Sequence, residues 1–472
     1  MKRPIYDGMT KYMEQQYKPW HMPGHKRKHI MEPFDLFSYD VTEAEGLDNL
    51  ACPKKFIREA LADATSIYHT KQTLYLVNGS TVGMLTAIHA CCNRGDKILI
   101  SRNCHQSVYH AIELLELNPV YVIPQISNEH HIQGCVTAKS VEEAFLTHSD
   151  LKAVVIVSPT YEGVISNIEG ISNIVHRNKS ILIVDEAHGA HLPFISPEKS
   201  AIYQGADLVI QSLHKTLPSV TQTALLHVCT DTILVERVKR FLQCFQTSSP
   251  SYPFMISMDD CIHWMNSDEG KLCVTQYCEA LTEFREWASR LTHIRLLEEE
   301  DVQIDENSKC SYDLGKLCFV LNDTVDNGMD VAHTLWIKYK QAYEMSFSNG
   351  FLLMTSIMDT KEDFEELKEA LLALDAEVRI GQKEDDISIY EIEGRAVIRP
   401  GIASGMNKEW ISVSNANGRI AGEYLYLYPP GIPIIVPGEE ISERLITYIT
   451  TNSECMVRIQ GIHDGQICVI ME

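Results

Sequence analysis

The chain has no CxxC pair, no internal repeat, no low-complexity tract and no apolar run of membrane-spanning length. Without CxxC spacing, its fourteen cysteines, two of them adjacent as Cys91-Cys92, match neither a zinc site nor a disulfide framework. They suit a reducing compartment, and no metal is expected. Residues 1–18 are polar and charged and lack the apolar stretch of a signal peptide, so a cytoplasmic location without membrane insertion is expected. Positive charge is scarce: 41 Lys and Arg stand against 64 Asp and Glu, a formal net charge of -23. Such a field repels nucleic acid and anionic membranes and draws in small cations, so a basic small molecule is the easier ligand. What the chain does have is bulk: 472 residues, 45% of them hydrophobic, suffice for two or more domains and a large core.

Seven short apolar runs read as strands, at 73–77, 97–101, 120–124, 153–158, 181–184, 206–210 and 224–228. Helical or turn-rich stretches separate them, with helical periodicity at 56–68, 82–92, 273–291 and 361–377. This alternation predicts an α/β fold: a mostly parallel sheet with helices on both faces, followed by a smaller C-terminal α/β domain. The expected division is an N-terminal arm at 1–30 that packs on something else, a large domain at 31–300 and a small domain at 301–472. The junction is placed at 298–308, where charge and turn formers replace apolar periodicity. Tyr428-Pro429-Pro430-Gly431-Ile432-Pro433 is stiff and extended, and is expected to line a surface or an interface.

Two strand ends carry the chemistry. Asp185-Glu186-Ala187-His188-Gly189 follows one apolar run and Gln211-Ser212-Leu213-His214-Lys215 follows the next. Ligands of open parallel sheets collect beyond the carboxyl ends of the strands, so Asp185 and Lys215 are placed to face one bound molecule. A fixed carboxylate and an amine able to lose its proton suit pyridoxal phosphate: the amine condenses with the aldehyde, and the carboxylate keeps the ring nitrogen protonated. Either residue alone reads more simply as a helix cap or a solvated lysine; their pairing favours the cofactor. Asn78-Gly79-Ser80-Thr81 opens a helix directly after a strand, where the hydroxyls of Ser80 and Thr81 serve as phosphate ligands or as caps, and both readings stand. His105 sits at another strand end, where its flat ring is able to lie against a flat cofactor. His21-Met22-Pro23-Gly24-His25-Lys26-Arg27 crowds imidazoles and cations around a turn and reads as a surface loop before an anion contact. The acidic stretch 40–50, with Glu43, Glu45 and Asp48, reads as a solvated connection.

These residues resemble the fold type I pyridoxal phosphate-dependent ornithine/lysine/arginine decarboxylases of bacterial type. The resemblance runs through HMPGHK (21–26), Gly46-Leu47-Asp48, Asn78 to Thr81, Asn103-Cys104-His105, Ser158-Pro159-Thr160-Tyr161, DEAHGAH (185–191) and QSLHKT (211–216). It resumes at Gly418-Arg419-Ile420 and YPPGIPIIVPGE (428–439), and leaves roughly residues 260 to 400 without recognisable pattern. It implies that Lys215 carries the cofactor, Asp185 pairs with the pyridine nitrogen, His105 stacks on the ring and Ala187 packs on its other face. Ser80, Thr81, Ser212 and His214 would hold the phosphate, and His214 or Tyr161 would return a proton to Cα. Asp48 and Glu439 would meet the substrate's distal cation. It further implies a homodimer with shared active sites, in which 247–251 reaches the partner's phosphate, and a short form lacking the N-terminal wing of larger members.

The expected reaction is decarboxylation of a basic amino acid for polyamine synthesis: arginine to agmatine first, then lysine to cadaverine, then ornithine to putrescine. Two departures leave the substrate open. Where the family reads GLDDLH this chain has Gly46-Leu47-Asp48-Asn49-Leu50-Ala51, and HMPGHK continues as Arg27-Lys28-His29 without the usual glycine. The alternatives are another fold type I enzyme, such as an aminotransferase or an aldolase, and a catalytically silent paralogue that binds polyamines.

Overall fold

The computed structural model describes residues 3–31, 33, 35–127, 130, 132–304, 309–381, 394–428, 431–451 and 459–471. The seven apolar runs become one sheet: β1 (Gln72–Leu76), β2 (Lys97–Ser101), β3 (Asn118–Val122), β4 (Leu151–Val157), β5 (Ile181–Asp185), β6 (Leu208–Gln211) and β7 (Ala224–Val228). Their spatial order is β1-β7-β6-β5-β4-β2-β3, parallel throughout except that β7 runs antiparallel to both of its neighbours. Successive residues of each strand enter different cores, as the pleat requires. Leu74, Ile100, Val155, Ile183 and Ile210 pack against the helices Gly79–Cys91, Gln106–Leu114 and Val235–Phe245. On the other face, Tyr75, Leu99, Val154, Val184 and Val209 pack against Phe56–Ile67, Ile168–Arg177 and Tyr252–Asn266. With both faces covered, the strands have to read as continuous apolar runs.

The long helix Asp268–Ala288 leads into a second, wholly antiparallel sheet. It comprises β8 (Ile294–Leu296), β9 (Lys316–Leu321), β10 (Met345–Phe347) and β11 (Gly350–Met354), in the order β8-β9-β11-β10. The helices Gly328–Tyr339 and Lys361–Asp375 cover it, the latter opened by a reciprocal capping box between Thr360 and Asp363. Phe319, Phe351, Leu353 and Phe364 belong to the same apolar cluster as Val154 and Val184, so the two sheets share a core. Residues beyond 394 form a third unit of short antiparallel strands, with a separate core of Val413, Leu425, Ile435, Leu445 and Ile467.

The expected boundary at 298–308 is therefore misplaced. Glu299–Val302 is a 3-10 turn between β8 and β9, inside the second sheet, and 305–308 lie outside the described residues. The chain beyond Asp268–Ala288 forms two units rather than one, the four-stranded sheet and the strands after residue 394. A charged run marks an exposed connection within a sheet as readily as one between domains. The N-terminal arm is a helix, Pro4–Glu14, with no buried residue, after which Lys18–Pro19 pairs in parallel with Gln341–Ala342. Among the described residues, no helix is long and apolar enough to cross a membrane.

Candidate active site

The site forms where β5 and β6 end side by side. Parallel pairing sets Ile210 opposite Asp185, and the Glu186 N–H continues the ladder to the Ile210 carbonyl (2.9 Å). The Gln211 side chain donates to the Glu186 carboxylate (2.6 Å), which also accepts from Ser200 Oγ and the Ala201 N–H. This buried clamp fixes the two strand ends. The chain then turns once, through Leu213–Thr216, which carries Lys215 back over the end of β5. Asp185 is buried and, among the described residues, its carboxylate accepts one hydrogen bond, from the Ala187 N–H (3.2 Å). Burial raises the Asp185 pKa, opposed by the charge of Lys215 and by the Ala187 N–H; burial lowers that of Lys215, opposed by Asp185 and Glu344. A buried carboxylate with spare acceptor capacity beside a buried amine fits a ring carrying N–H⁺ and an aldehyde.

A pair of hydroxyls meets nearby. Ser80, at the start of the helix Gly79–Cys91, and Ser212, at the end of β6, approach to 2.5 Å between hydroxyl oxygens. Two hydroxyls meeting at the positive end of a helix form an anion cradle. Thr81 is exposed beside them. His105 caps Gln106–Leu114 by accepting from the Ser107 N–H at Nδ1 (3.3 Å). Its pKa is pushed down to about 3 by burial and by the neighbouring Lys215 charge, which leaves a neutral ring beside the amine. The site therefore holds a Lys, an Asp, an anion cradle and a flat neutral ring in one place.

A family model described as Orn/Lys/Arg decarboxylase, major domain, matches residues 3–333, and one described as Orn/Lys/Arg decarboxylase, C-terminal domain, matches 402–464. The chain belongs to this family. It is 31% identical to arginine decarboxylase of Bacillus subtilis over 99% of this chain and 97% of that protein. It is 30% identical to arginine decarboxylase of Bacillus anthracis, over 98% and 95% respectively. Lysine decarboxylase LdcF of Francisella novicida, a solved structure, superposes with a TM-score of 0.79 over 99% of this chain and 83% of that chain, at 18% identity, and so shows the shared fold. The enzyme is thus a fold type I, pyridoxal phosphate-dependent amino acid decarboxylase.

Other motifs support the site from behind. In HMPGHK, the Gly24 N–H donates to the His214 carbonyl (2.7 Å), and Ser356 Oγ donates to the Gly24 carbonyl (2.6 Å). A Cβ on Gly24 would lie 2.7 Å from the Leu217 backbone. Only glycine lets this turn press on the one that carries Lys215. Lys26 is buried and donates to the carbonyls of Pro19, His21 and Met354. The motif is therefore a buried brace, where a surface loop was expected. Gly431 arrives over His105, its carbonyl accepting from the Gln106 N–H (3.2 Å); Pro429 and Pro430 lie outside the described residues. The Thr247 N–H donates to Asn78 Oδ1 (2.9 Å), which sets the stretch 247–251 beside the phosphate cradle of its own chain.

Three expected roles do not survive the geometry. Asp48 is buried, and its carboxylate accepts from the backbone N–H groups of Asn49, Lys54, Lys55 and Ile57, which start the helix Phe56–Ile67. Those four bonds outweigh burial and hold its pKa below the usual value. It is a structural cap and has no free face for a substrate. Glu439 is also buried, accepting from Arg102 (3.1 Å) and the Val436 N–H (2.9 Å); Arg102 in turn donates to the carbonyls of Pro433 and Ile434. That pair pins the third unit to the end of β2. His214 Nδ1 lies 2.9 Å from the Thr223 carbonyl, which can only accept, so the one ring proton is spent there. Burial pushes the His214 pKa down to about 4, opposed by the Thr223 carbonyl, which disfavours the ring as an acid. Tyr161 does face the site, but its hydroxyl donates to Glu344, and burial with that carboxylate raises its pKa.

Three residues were missed. His188 Nε2 lies 3.1 Å from Lys215 Nζ, and its Nδ1 lies 3.0 Å from Lys316 Nζ. Glu344 joins Tyr161 to the Met22 N–H (2.9 Å) and acts on both lysines. His188 is the fourth residue of DEAHGAH, three after Asp185, so a signal existed. Lys316 and Glu344 come from the second sheet, where the only hint is a lysine opening the otherwise apolar strand Lys316–Leu321, all six residues of which are buried.

Proposed function

We infer that the enzyme decarboxylates arginine to agmatine, with lysine and then ornithine as poorer substrates, in polyamine synthesis. The observation that carries the reading is the meeting of Lys215, Asp185, His105 and the Ser80–Ser212 cradle at the carboxyl ends of the strands. The two Bacillus relatives named arginine decarboxylase, alike across nearly the whole chain, support arginine as first choice. Bound pyridoxal phosphate supplies the electron sink for a breaking carbon–carboxylate bond. Lys215 would be the residue that holds the cofactor's aldehyde end. Asp185 would keep the ring nitrogen protonated, and His105 and Ala187 would pack against the ring. Ser80, Thr81 and Ser212 fix the phosphate. Holding all four ends of the cofactor fixes the bond to be broken relative to the ring.

The test is direct. The purified protein, loaded with cofactor, is incubated separately with arginine, lysine and ornithine, and carbon dioxide and amine are measured. Agmatine formed fastest supports the reading; a keto acid product would establish transamination, and faster release from lysine or ornithine would reorder the substrates.

The same reading includes a cytoplasmic homodimer with shared sites. Ile5, Tyr6, Met9 and Met13 on the arm helix, and Leu36, Phe37 and Tyr39 after it, are exposed apolar side chains. A second copy of the chain would cover them, and exposed apolar side chains gathered in one stretch suit an interface. The thirteen described cysteines are all free, in keeping with a reducing compartment. Light scattering on the purified chain reads the oligomer: a mass of one chain at micromolar concentration overturns the dimer.

A further inference from the structure

Lys316 is a fully enclosed amine that the cofactor chemistry does not use. It opens β9 and reaches the site through a narrow slot. On one side stands Gly163, at φ +109, where an added Cβ would sit 2.7 Å from Lys316 Cγ; on another, the Tyr161 ring lies 5.6 Å from the ammonium. Its Nζ ends 3.0 Å from His188 Nδ1, and the opposite nitrogen of that ring ends 3.1 Å from Lys215 Nζ. Two lysines on the two nitrogens of one imidazole pose a counting problem. Burial and the two amines hold His188 well below its ordinary pKa, so the ring is neutral, with one N–H and one lone pair. An ammonium can only donate. Both hydrogen bonds can then exist only if the lysine that faces the ring N–H is a free amine; with one proton shared between the two lysines, the other is the ammonium and donates to the ring lone pair.

We propose that Lys215, His188 and Lys316 form a proton relay in which Lys316 takes the proton that Lys215 must shed to act as a nucleophile. The assignment rests on the reading of Lys215 as the amine that holds the cofactor. In one state Lys215 is the ammonium and donates to Nε2, while Nδ1–H donates to the Lys316 lone pair. In the other, the Lys215 proton has moved to Nε2 and the Nδ1 proton to Lys316, leaving Lys215 a neutral amine whose lone pair accepts from Nε2–H until it turns away to act. Lys215 loses one proton, Lys316 gains one, the ring exchanges one for another, and the total charge is unchanged. Asp313, Glu344 and Glu162 act on Lys316 from the elements around it, and Asp185 and Glu344 act on Lys215, so either end has a carboxylate to balance the positive charge. Burial brings Lys316 down to about 8, opposed by Asp313 and Glu344, within reach of taking and returning a proton near neutrality. Lys316 touches neither substrate nor cofactor in this scheme; it is a positioning residue acting through His188.

The readout is the rate at which the full-length chain, stripped of cofactor, recaptures pyridoxal phosphate, followed by the visible absorbance band across pH 6 to 9. If the wild type fails to develop the band, or Lys215→Ala develops it equally, the reading of Lys215 fails before Lys316 is tested. With that reading intact, Lys316→Met should slow capture below pH 8 about tenfold and move the pH profile up by about one unit, because Lys215 must then lose its proton to solvent. Lys316→Arg, whose guanidinium only donates, should hold His188 with its proton on Nε2 and flatten the profile instead. In a His188→Phe background, Lys316→Met should change nothing further. Capture by a folded Lys316→Met at the wild-type rate and pH dependence overturns the relay, as does an undiminished effect in the His188→Phe background. Should the Lys316 variants not fold, the wild type decides: its capture rate in mixed H₂O and D₂O should bow, because two protons move together, and a straight line overturns the proposal.

Discussion

The seven-stranded sheet and the four-stranded sheet behind it contribute to the same site in opposite ways. In the first, the central strands β5 and β6 are almost wholly buried apolar runs, and the proposed site residues are the polar ones that end them: Asp185 at the end of β5, Ser212 after β6. In the second, the functional residues stand at positions that no local pattern marks. Lys316 begins an apolar strand and Glu344 precedes another, and each becomes meaningful only when the fold sets it against His188 or Tyr161. The sheets meet at one imidazole, with Lys215 on one nitrogen and Lys316 on the other. A parallel sheet thus writes its site into the strand ends, whereas a sheet packed behind it supplies chemistry by proximity alone.

The largest effect should come from removing the amine that the first sheet presents. Lys215→Ala should lower decarboxylation on the order of 10⁴-fold or more, because no other residue in reach replaces the nucleophile. The Gln211–Glu186 clamp is untouched by the change, so thermal unfolding should stay close to wild type. Turnover and cofactor absorbance that survive unaltered would remove the first sheet from the chemistry and break the contrast.

The next effect belongs to the C-terminal part and should fall on stability. Glu439→Leu leaves the partly buried Arg102 without its carboxylate but with the Pro433 and Ile434 carbonyls, so the loss should fall at or below the about 3–5 kcal/mol of a fully buried broken pair. Denaturant unfolding should show that loss, while KM for the amino acid in the folded fraction holds. A large rise in KM with stability unchanged would return Glu439 to the substrate site and make the C-terminal part a specificity element after all.

The same contrast sets how far the sequence could be read. All seven strands of the large sheet were placed within a few residues, because burial on both faces leaves no other composition available. The placing of Asp185 and Lys215 at neighbouring strand ends could be expected from topology, whereas Ser80 was left between cap and phosphate ligand and Ser212 came from the resemblance alone. Asp48 and Glu439 were misread because a carboxylate in a motif looks the same whether it faces a cation or a row of N–H groups; only the backbone around 54–57 and the position of Arg102 decide. The junction near 300 was misread for a similar reason, since charge marks exposure and not separation. Lys316 was invisible because nothing near it in the chain says which strand it will lie behind.

Asp48 allows the misreading itself to be measured. Asp48→Ala removes the acceptor of four backbone N–H groups at the start of Phe56–Ile67, and loss of such a cap costs about 2 kcal/mol. The direction with pH is fixed. Because the folded state holds Asp48 below its unfolded pKa, its contribution is complete above about pH 4 and disappears as pH falls through the folded value. The stability gap between wild type and variant should therefore close in acid. A gap that persists at low pH, or a selective loss of affinity for arginine, would restore the carboxylate to substrate binding.

The smallest effect sharpens the description of the first sheet. Ser80→Ala leaves Ser212 in place and removes one of two hydroxyls that lie 2.5 Å apart at the head of Gly79–Cys91. If these are only helix caps, the change should register in unfolding. The structure argues otherwise, because Asn78 stands at the cap position, no side-chain cap bond is made there, and the Ser80 hydroxyl points to Ser212. Its removal should therefore weaken retention of pyridoxal phosphate by about 1 kcal/mol, roughly fivefold in dissociation constant, with little change in unfolding of the cofactor-free chain. Equal retention by variant and wild type, with a lowered unfolding midpoint, would assign the hydroxyl to the helix and leave the phosphate to Ser212 and the backbone N–H groups.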